Sequence, residues 1–297
     1  MTIPIPYVRD MTFEYGAIER LSPLIRRVVA RNPGPFTFHG TATYIVGHGD
    51  VAVIDPGPEL AGHVEAIIAG LQGETISHQI ITHTHRDHSP AARLLGRATG
   101  APSYGYGPHG AGNGDGAVEE GADYDFTPDV TLRDGDVIEG DGWTLGAVET
   151  PGHASNHLCF ALAEESVLFS GDHVMGWSST VIAPPDGHMA TYLASLKRLL
   201  ERDDDVYWPT HGPRIEAPRT MVRALLDHRG MRERQIADCL ERGVGGIPAM
   251  VAEIYADIPR SLHPAAACSV LAHLIHMVEN NRATCDGEPR ADGLFGL

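Results

Sequence analysis

The chain is expected to fold as a mixed α/β protein followed by a helical C-terminal part, and three features of the sequence lead there. Short β-favouring runs recur, and each ends in a turn with His or Asp at its mouth. Stretches of helical apolar spacing alternate with those runs. Beyond Pro213 the strand signals stop and long helical patterns take over.

Taken in order, Thr41 to Val46 and Val51 to Ile54 read as a hairpin about Gly47-His48-Gly49-Asp50. Pro58 to Leu71 has helical spacing with a proline near its start. The apolar run Gln79-Ile80-Ile81-Thr82 leads into His83-Thr84-His85-Arg86-Asp87-His88, and Pro90 to Arg97 reads as the next helix. Strands are expected at Thr144 to Glu149, Leu158 to Leu162 and Val167 to Phe169, then a helix from Ala190 to Leu200. Three helices follow: Pro218 to Arg242, Ile247 through Tyr255, and His263 to about Asn280. The composition divides the chain into a domain at 1–213 and a helical one at 214–297.

His83 to His88 packs three imidazoles and a carboxylate into six residues, which reads as a metal site. Imidazole nitrogen suits zinc and other borderline divalent ions, and Asp87 serves as a ligand or as an orienter of bound water. A metal site assembled in space needs donors from other strand ends. They are supplied by Thr150-Pro151-Gly152-His153, by Ser170-Gly171-Asp172 and by Pro209-Thr210-His211-Gly212. Each alone is equally a polar turn; in this order they form a set.

The set His83, His85, Asp87, His88, His153, Asp172 and His211 resembles the metallo-β-lactamase superfamily. That resemblance implies an αββα sandwich with the ligands on one edge and two metals, zinc in the first instance with other divalent ions as alternatives. It assigns His83, His85 and His153 to one ion, Asp87, His88 and His211 to the other, and Asp172 to a bridging position. The intact His-x-His-x-Asp-His motif favours hydrolysis over the redox chemistry of the di-iron relatives. Asn32-Pro33-Gly34-Pro35, Gly40-Thr41-Ala42-Thr43-Tyr44, Leu132-Arg133-Asp134-Gly135-Asp136 and the tail from His228-Arg229 to Leu274 further resemble the β-lactamase-like protein 2 family. Animal members of that family are mitochondrial endoribonucleases acting on single-stranded RNA, and the likeness implies a winged-helix-like tail. Ala42, where that family usually carries Asn, and the Gly-rich stretch Gly105 to Gly121 depart from its pattern.

Such a site is expected to hydrolyse: two divalent ions lower the pKa of a water between them, so that hydroxide attacks at neutral pH with Asp87 orienting it. Phosphodiesters, thioesters, lactones and β-lactams all offer a centre that it attacks, so the ligands do not choose between single-stranded RNA and a small-molecule substrate. His157, Ser179, Thr180 and Asp186 are candidates for the pocket or for orienting a ligand, whereas His39, His173 and His188 read as structural.

Charge bears on the choice. The net charge is −17, and residues 1–213 hold 12 Lys+Arg against 28 Asp+Glu. Proteins that bind nucleic acid draw affinity from Lys and Arg on phosphates, and this chain has a single lysine, Lys197. Arg229, Arg232 and Arg234 read as a solvated helical face. The third tail helix has no Lys or Arg before Arg282, which leaves nucleic-acid recognition, a lid and a homodimer contact all open for the tail. Met1 to Asp10 lacks the pattern of a signal peptide, and no apolar run is read as reaching the ~20 residues of a membrane-spanning helix. Cys159, Cys239, Cys268 and Cys285 form no close pair, as expected of reduced thiols in the cytoplasm.

Overall fold

The computed structural model describes residues 4–110 and 121–297, so the middle of the Gly-rich stretch from Gly105 to Gly121 lies outside the described residues. A seven-stranded sheet runs in the order β1 (Glu19–Arg20), β2 (Ile25–Val29), β3 (Ala42–Val46), β4 (Asp50–Ile54), β5 (Thr75–Ile80), β6 (Ser103–Gly105), β7 (Val130–Thr131). A second sheet is built from β8 (Val137–Gly140), β9 (Trp143–Glu149), β10 (Leu158–Leu162), β11 (Val167–Gly171) and β12 (Val206–Pro209), with β12 at one edge and β8 at the other. The expected hairpin forms, Tyr44 facing Ile54 across it, and β4 with β5 and β11 with β12 pair in parallel.

Period-two alternation explains the layers. Along β4, Ala52 and Ile54 face the second sheet and meet a core with Leu145, Leu158, Phe160, Phe169 and Trp208. Val51 and Val53 face the other way, onto Val64 and Ile67 of α1 (Ala61–Gly70) and Leu95 of α2 (Ala91–Thr99). On the far side, Val148, Cys159, Leu168 and Tyr207 are covered by Tyr192, Leu196 and Leu199 of α3 (Met189–Leu199) and by Met221, Val222 and Leu225 of α4 (Pro218–Glu241). The result is helix, sheet, sheet, helix, the αββα sandwich expected.

Helix α1 starts later than the Pro58 expected from sequence. Gly57 is held in a turn by its N–H on the His88 carbonyl and its own carbonyl on the Ala91 N–H, and Leu60 is still extended. The sequence signal is a proline in the approach rather than at the first helical position.

The tail contains α4, α5 (Ile247–Ile254), α6 (His263–Glu279) and a small hairpin of β13 (Thr284–Cys285) and β14 (Phe295–Gly296). The second half of α4, α5, α6 and the hairpin share a core of their own around Cys239, Met250, Val251, Leu274, Met277 and Phe295. The first half of α4 packs instead on the second sheet, so the two parts are joined through one continuous helix. Arg260–Glu279 is one stretch long and apolar enough to cross a membrane by length and composition, contrary to the sequence reading. Its apolar face is occupied in this fold, since Val270, Leu274 and Met277 are buried against α4 and α5.

Candidate metal centre

Every candidate ligand sits in a loop just past a strand's C-terminal end: His83 to His88 after β5, His153 after β9, Asp172 after β11 and His211 after β12. Local backbone needs explain the glycines beside them. Gly171 holds φ +51°, and a Cβ there would lie 2.5 Å from the Nε2 of His157. Gly152 holds φ +142° and passes so close to α3 that a Cβ would meet the Tyr192 backbone at 2.3 Å.

The structure brings all seven together. His85 Nδ1 lies 3.0 Å from His83 Nε2 and 3.1 Å from His153 Nε2. His211 Nε2 lies 3.0 Å from an Asp87 oxygen and 3.3 Å from one of Asp172, while His88 Nε2 is 3.4 Å and 3.5 Å from the same two carboxylates. His153 Nε2 is 3.9 Å from Asp172, which thus stands between the two groups. Within each of the sets His83/His85/His153, His83/His88/Asp172 and Asp87/His88/His211, the donor atoms lie within 4.8 Å of one another.

Hydrogen bonds on the outer nitrogens settle which atoms face inward. His153 Nδ1–H donates to the Val181 carbonyl and His211 Nδ1–H to the Gly40 carbonyl, and a carbonyl only accepts. His88 Nδ1–H donates to Asp55, and His83 Nδ1–H to the Thr82 hydroxyl, which itself donates to Asp55. Four Nε2 atoms therefore face the site, those of His88, His153 and His211 toward the two carboxylates, as expected when the outer nitrogen of a metal-binding histidine is held by its own partner.

Electrostatics point the same way. Burial alone would raise the carboxyls of Asp87 and Asp172, yet the His88 and His211 imidazoles hold both well below the usual carboxylate range. Burial would likewise lower His88 and His211, but the facing carboxylates hold His88 well above its ordinary value and push His211 up to about 10. His83 and His85 are held well below theirs, first by burial and then by neighbouring imidazoles. One side of the site attracts positive charge and the other offers neutral nitrogen donors, and His88 Nε2 and Asp172 Oδ1 have no hydrogen-bond partner among the described residues. A divalent cation fits this donor set.

Asp55 is the residue that sequence reading missed. Fully buried after β4, it accepts from the Thr82 N–H at 2.8 Å, the Thr82 hydroxyl at 2.8 Å, His88 Nδ1 at 2.9 Å and the Thr210 hydroxyl at 3.0 Å. The signal was present, since Val51 to Ile54 followed by Asp55-Pro56-Gly57 repeats the strand-then-turn grammar of the ligands. Asn32 and Thr41 form a second brace: Asn32 holds the Thr41 backbone at 2.9 Å and hydroxyl at 3.0 Å, and that hydroxyl donates to Asp87 at 3.2 Å.

Among the outer candidates, His157 accepts from the Asp172 N–H at 3.2 Å and bonds the Thr150 hydroxyl at 2.8 Å, so it positions a candidate ligand. Thr180 donates to the Asp172 carbonyl at 2.7 Å, and Ser179 beside it lines a cavity between the Trp177–Val181 segment and the tail helices. Asp186 does not line that cavity; it accepts from the Ser155 N–H and hydroxyl at 3.0 and 2.6 Å and pins the His153 loop. His39 packs between Phe13 and Phe38, His173 is fully buried, and His188 bonds Glu279. Arg229 contradicts the reading of a solvated face: it is 2% exposed, because its guanidinium turns inward onto the Thr180 carbonyl and the Ser269 hydroxyl.

A sandwich whose strand ends converge five histidines and two aspartates on one edge is the architecture of a hydrolase site able to hold divalent metal. The sequence profile of the metallo-beta-lactamase superfamily matches residues 36–211, and that of the beta-lactamase associated winged helix domain matches residues 247–291. The chain belongs to the metallo-beta-lactamase superfamily. It is 31% identical to the lactamase-like protein adaB of Aspergillus niger over all of this chain and 97% of that one. It is 32% identical to an atrochrysone carboxyl ACP thioesterase of Cryptosporiopsis sp., over 76% of this chain and 65% of that one. A metallo-beta-lactamase family protein of Thermus thermophilus shares the fold with a TM-score of 0.75 at 22% identity, over 93% of this chain and 99% of that one. These relatives carry lactamase-like and thioesterase names rather than that of the endoribonuclease-like family.

Proposed function

We propose that the protein is a zinc-dependent thioester hydrolase holding two metal ions, with a small acyl thioester or an acyl group on a carrier protein as substrate. The observation that carries the reaction class is the convergence of inward-facing nitrogen donors on Asp87 and Asp172. The substrate class draws on the relatives named as acyl carrier thioesterases. His83, His85 and His153 would hold one ion and Asp87, His88 and His211 the other, with Asp172 shared. Bound divalent ions supply Lewis acidity and an activated water at neutral pH.

The chain's own residues supply the rest. Asp55 holds His88 in the tautomer that presents Nε2, and Val181 and Gly40 do the same for His153 and His211. Thr41 steers one Asp87 oxygen and so fixes the carboxylate in the direction that would orient an attacking water. No serine or cysteine nucleophile is needed, and the buried Cys159 thiol is pushed up to about 12 by burial, out of reach of thiolate chemistry.

The ribonuclease reading draws on the winged-helix match in the tail. Against it stand the −17 charge and Arg282, which is paired with Glu233 rather than free for phosphate. Four free cysteines support a cytoplasmic setting. The deciding experiment is a side-by-side assay of zinc-loaded protein on acyl thioesters, lactones, β-lactams and single-stranded RNA. Thioester turnover that disappears in Asp87→Ala supports the proposal; RNA cleavage with the same dependence and no thioester turnover refutes it.

A further inference from the structure

A cavity of about 680 Å³ lies between the Trp177–Val181 segment and the tail helices, within the ~300–1,000 Å³ range of small-molecule sites. None of the seven candidate ligands lines it. It nevertheless shares a wall with them, because Thr180 donates to the Asp172 carbonyl and Val181 accepts from His153. Phe36, Met175, Trp177, Met231 and Ile258 make it largely apolar.

Its charge is opposite to that of the protein. Arg9, Arg229 and Arg232 line it, and no Asp or Glu among the described residues does. Arg229 is 2% exposed and makes no ion pair among the described residues; its guanidinium donates to the Thr180 carbonyl and the Ser269 hydroxyl and lies over the Tyr192 ring at 5.1 Å, and its Nε has no hydrogen-bond partner there. Arg232 lies over the Tyr255 ring at 4.3 Å, donates to Gln235 and the Ile254 carbonyl, and also leaves Nε unpartnered. Glu233, next to Arg232 in sequence, turns away to His276 at 2.6 Å and Arg282 at 2.7 Å. Leaving a buried guanidinium without a counter-charge is costly, and a chain this acidic has carboxylates to spare. His228 beside them is held down to about 3, by burial and then by Arg229 and Arg232, so the arginines carry the positive charge at neutral pH.

We infer that this cavity receives the acyl group of the substrate, and that the preferred acyl group is an apolar or aromatic one carrying its own anion, read by Arg229 and Arg232. The inference rests on the thioester reading for the word acyl. A charge-assisted bond to a partly desolvated guanidinium gives a preference of about tenfold or more for the anionic ligand over its neutral isostere.

The test is calorimetric binding to the zinc-loaded full chain of terephthalamate, an aromatic amide with a carboxylate at its far end, against neutral terephthalamide. Terephthalamate is expected to bind about tenfold tighter, with that preference lost in Arg232→Met while terephthalamide binding is unchanged. Arg229→Met is expected to lose it too; because Arg229 also braces Thr180, Arg232→Met is the arm that stays readable if Arg229→Met misfolds. Equal binding of the two probes, or terephthalamate affinity indifferent to Arg232→Met, as when the carboxylate simply sits on zinc, overturns the inference. So does Arg232-dependent binding of pantetheine phosphate without any of terephthalamate, which assigns the anion to the carrier arm. Failure of the thioester reading shows separately, as no hydrolysis of an acetyl thioester by the zinc-loaded wild type whatever terephthalamate does.

Discussion

Replacing Asp55 with Asn should weaken metal binding although Asp55 is not itself a candidate ligand. The carboxylate accepts four hydrogen bonds, three of them on one oxygen from Thr82, His88 and Thr210. In Asp55→Asn one oxygen keeps the Thr82 N–H, and the amide nitrogen, which only donates, meets three former donors. The two hydroxyls can rotate to accept. His88 cannot: with metal on Nε2 its one proton sits on Nδ1, and without Asp55 to accept it the ring must give up that bond or move the proton to Nε2, the nitrogen that faces Asp87 and Asp172. Loss of an outer partner of this kind costs about 10–100-fold in metal affinity. One buried donor left unsatisfied costs about 1–3 kcal/mol of stability. Competition against a zinc-binding dye measures the first, and urea denaturation of metal-free protein the second. Zinc affinity within twofold of wild type, with a folded variant, would show that Asp55 does not set the His88 tautomer.

Elemental analysis after reconstitution with excess zinc should give close to two metals per chain; a value at or below one removes the dinuclear reading. His211 and His88 are held protonated by facing carboxylates at neutral pH, so zinc binding should release protons and tighten as pH rises from 7 toward the His211 value of about 10. Calorimetry in buffers of differing ionisation enthalpy reads that release. In metal-free protein the His211 contribution, from a raised pKa, is fully present below its unfolded value and is lost as pH rises through about 10, which denaturation at pH 8 and 11 should show. His85→Ala should abolish most thioester turnover with the circular dichroism spectrum kept, because the side chain ends a loop outside the apolar cores. Limited proteolysis should spare residues 213–218, since Ile215 is buried and bridged to Tyr207 and Met221 and Val222 lie in the sheet-facing core; rapid cleavage there would mean that the tail is loosely docked.

Much of the fold was legible because it depends on local chemistry. Alternating apolar residues gave β3, β4, β9 and β10 nearly to their ends, and proline at the first turns marked α4, α5 and α6. The seven candidate ligands were legible because strand-end loops must spend polar residues, and His or Asp recurring there is a chemical pattern that no single turn needs. Asp55 escaped for the opposite reason. A lone aspartate before Pro-Gly is an ordinary turn residue, and only the packing of β4 between β3 and β5 carries it under His88.

The sequence by itself determined the element types, the donor set and the acidic charge, all of which are written in residue identity and short-range spacing. The tertiary structure decided what those residues face. Arg229 and Arg232 carry the same spacing whether solvated or buried, and it is the docking of α4 against the Trp177–Val181 segment that turns Arg229 inward and leaves it without a carboxylate partner among the described residues. Likewise the tautomers of His88, His153 and His211 depend on partners 33, 28 and 171 residues away, which only the closed sandwich brings within hydrogen-bonding distance.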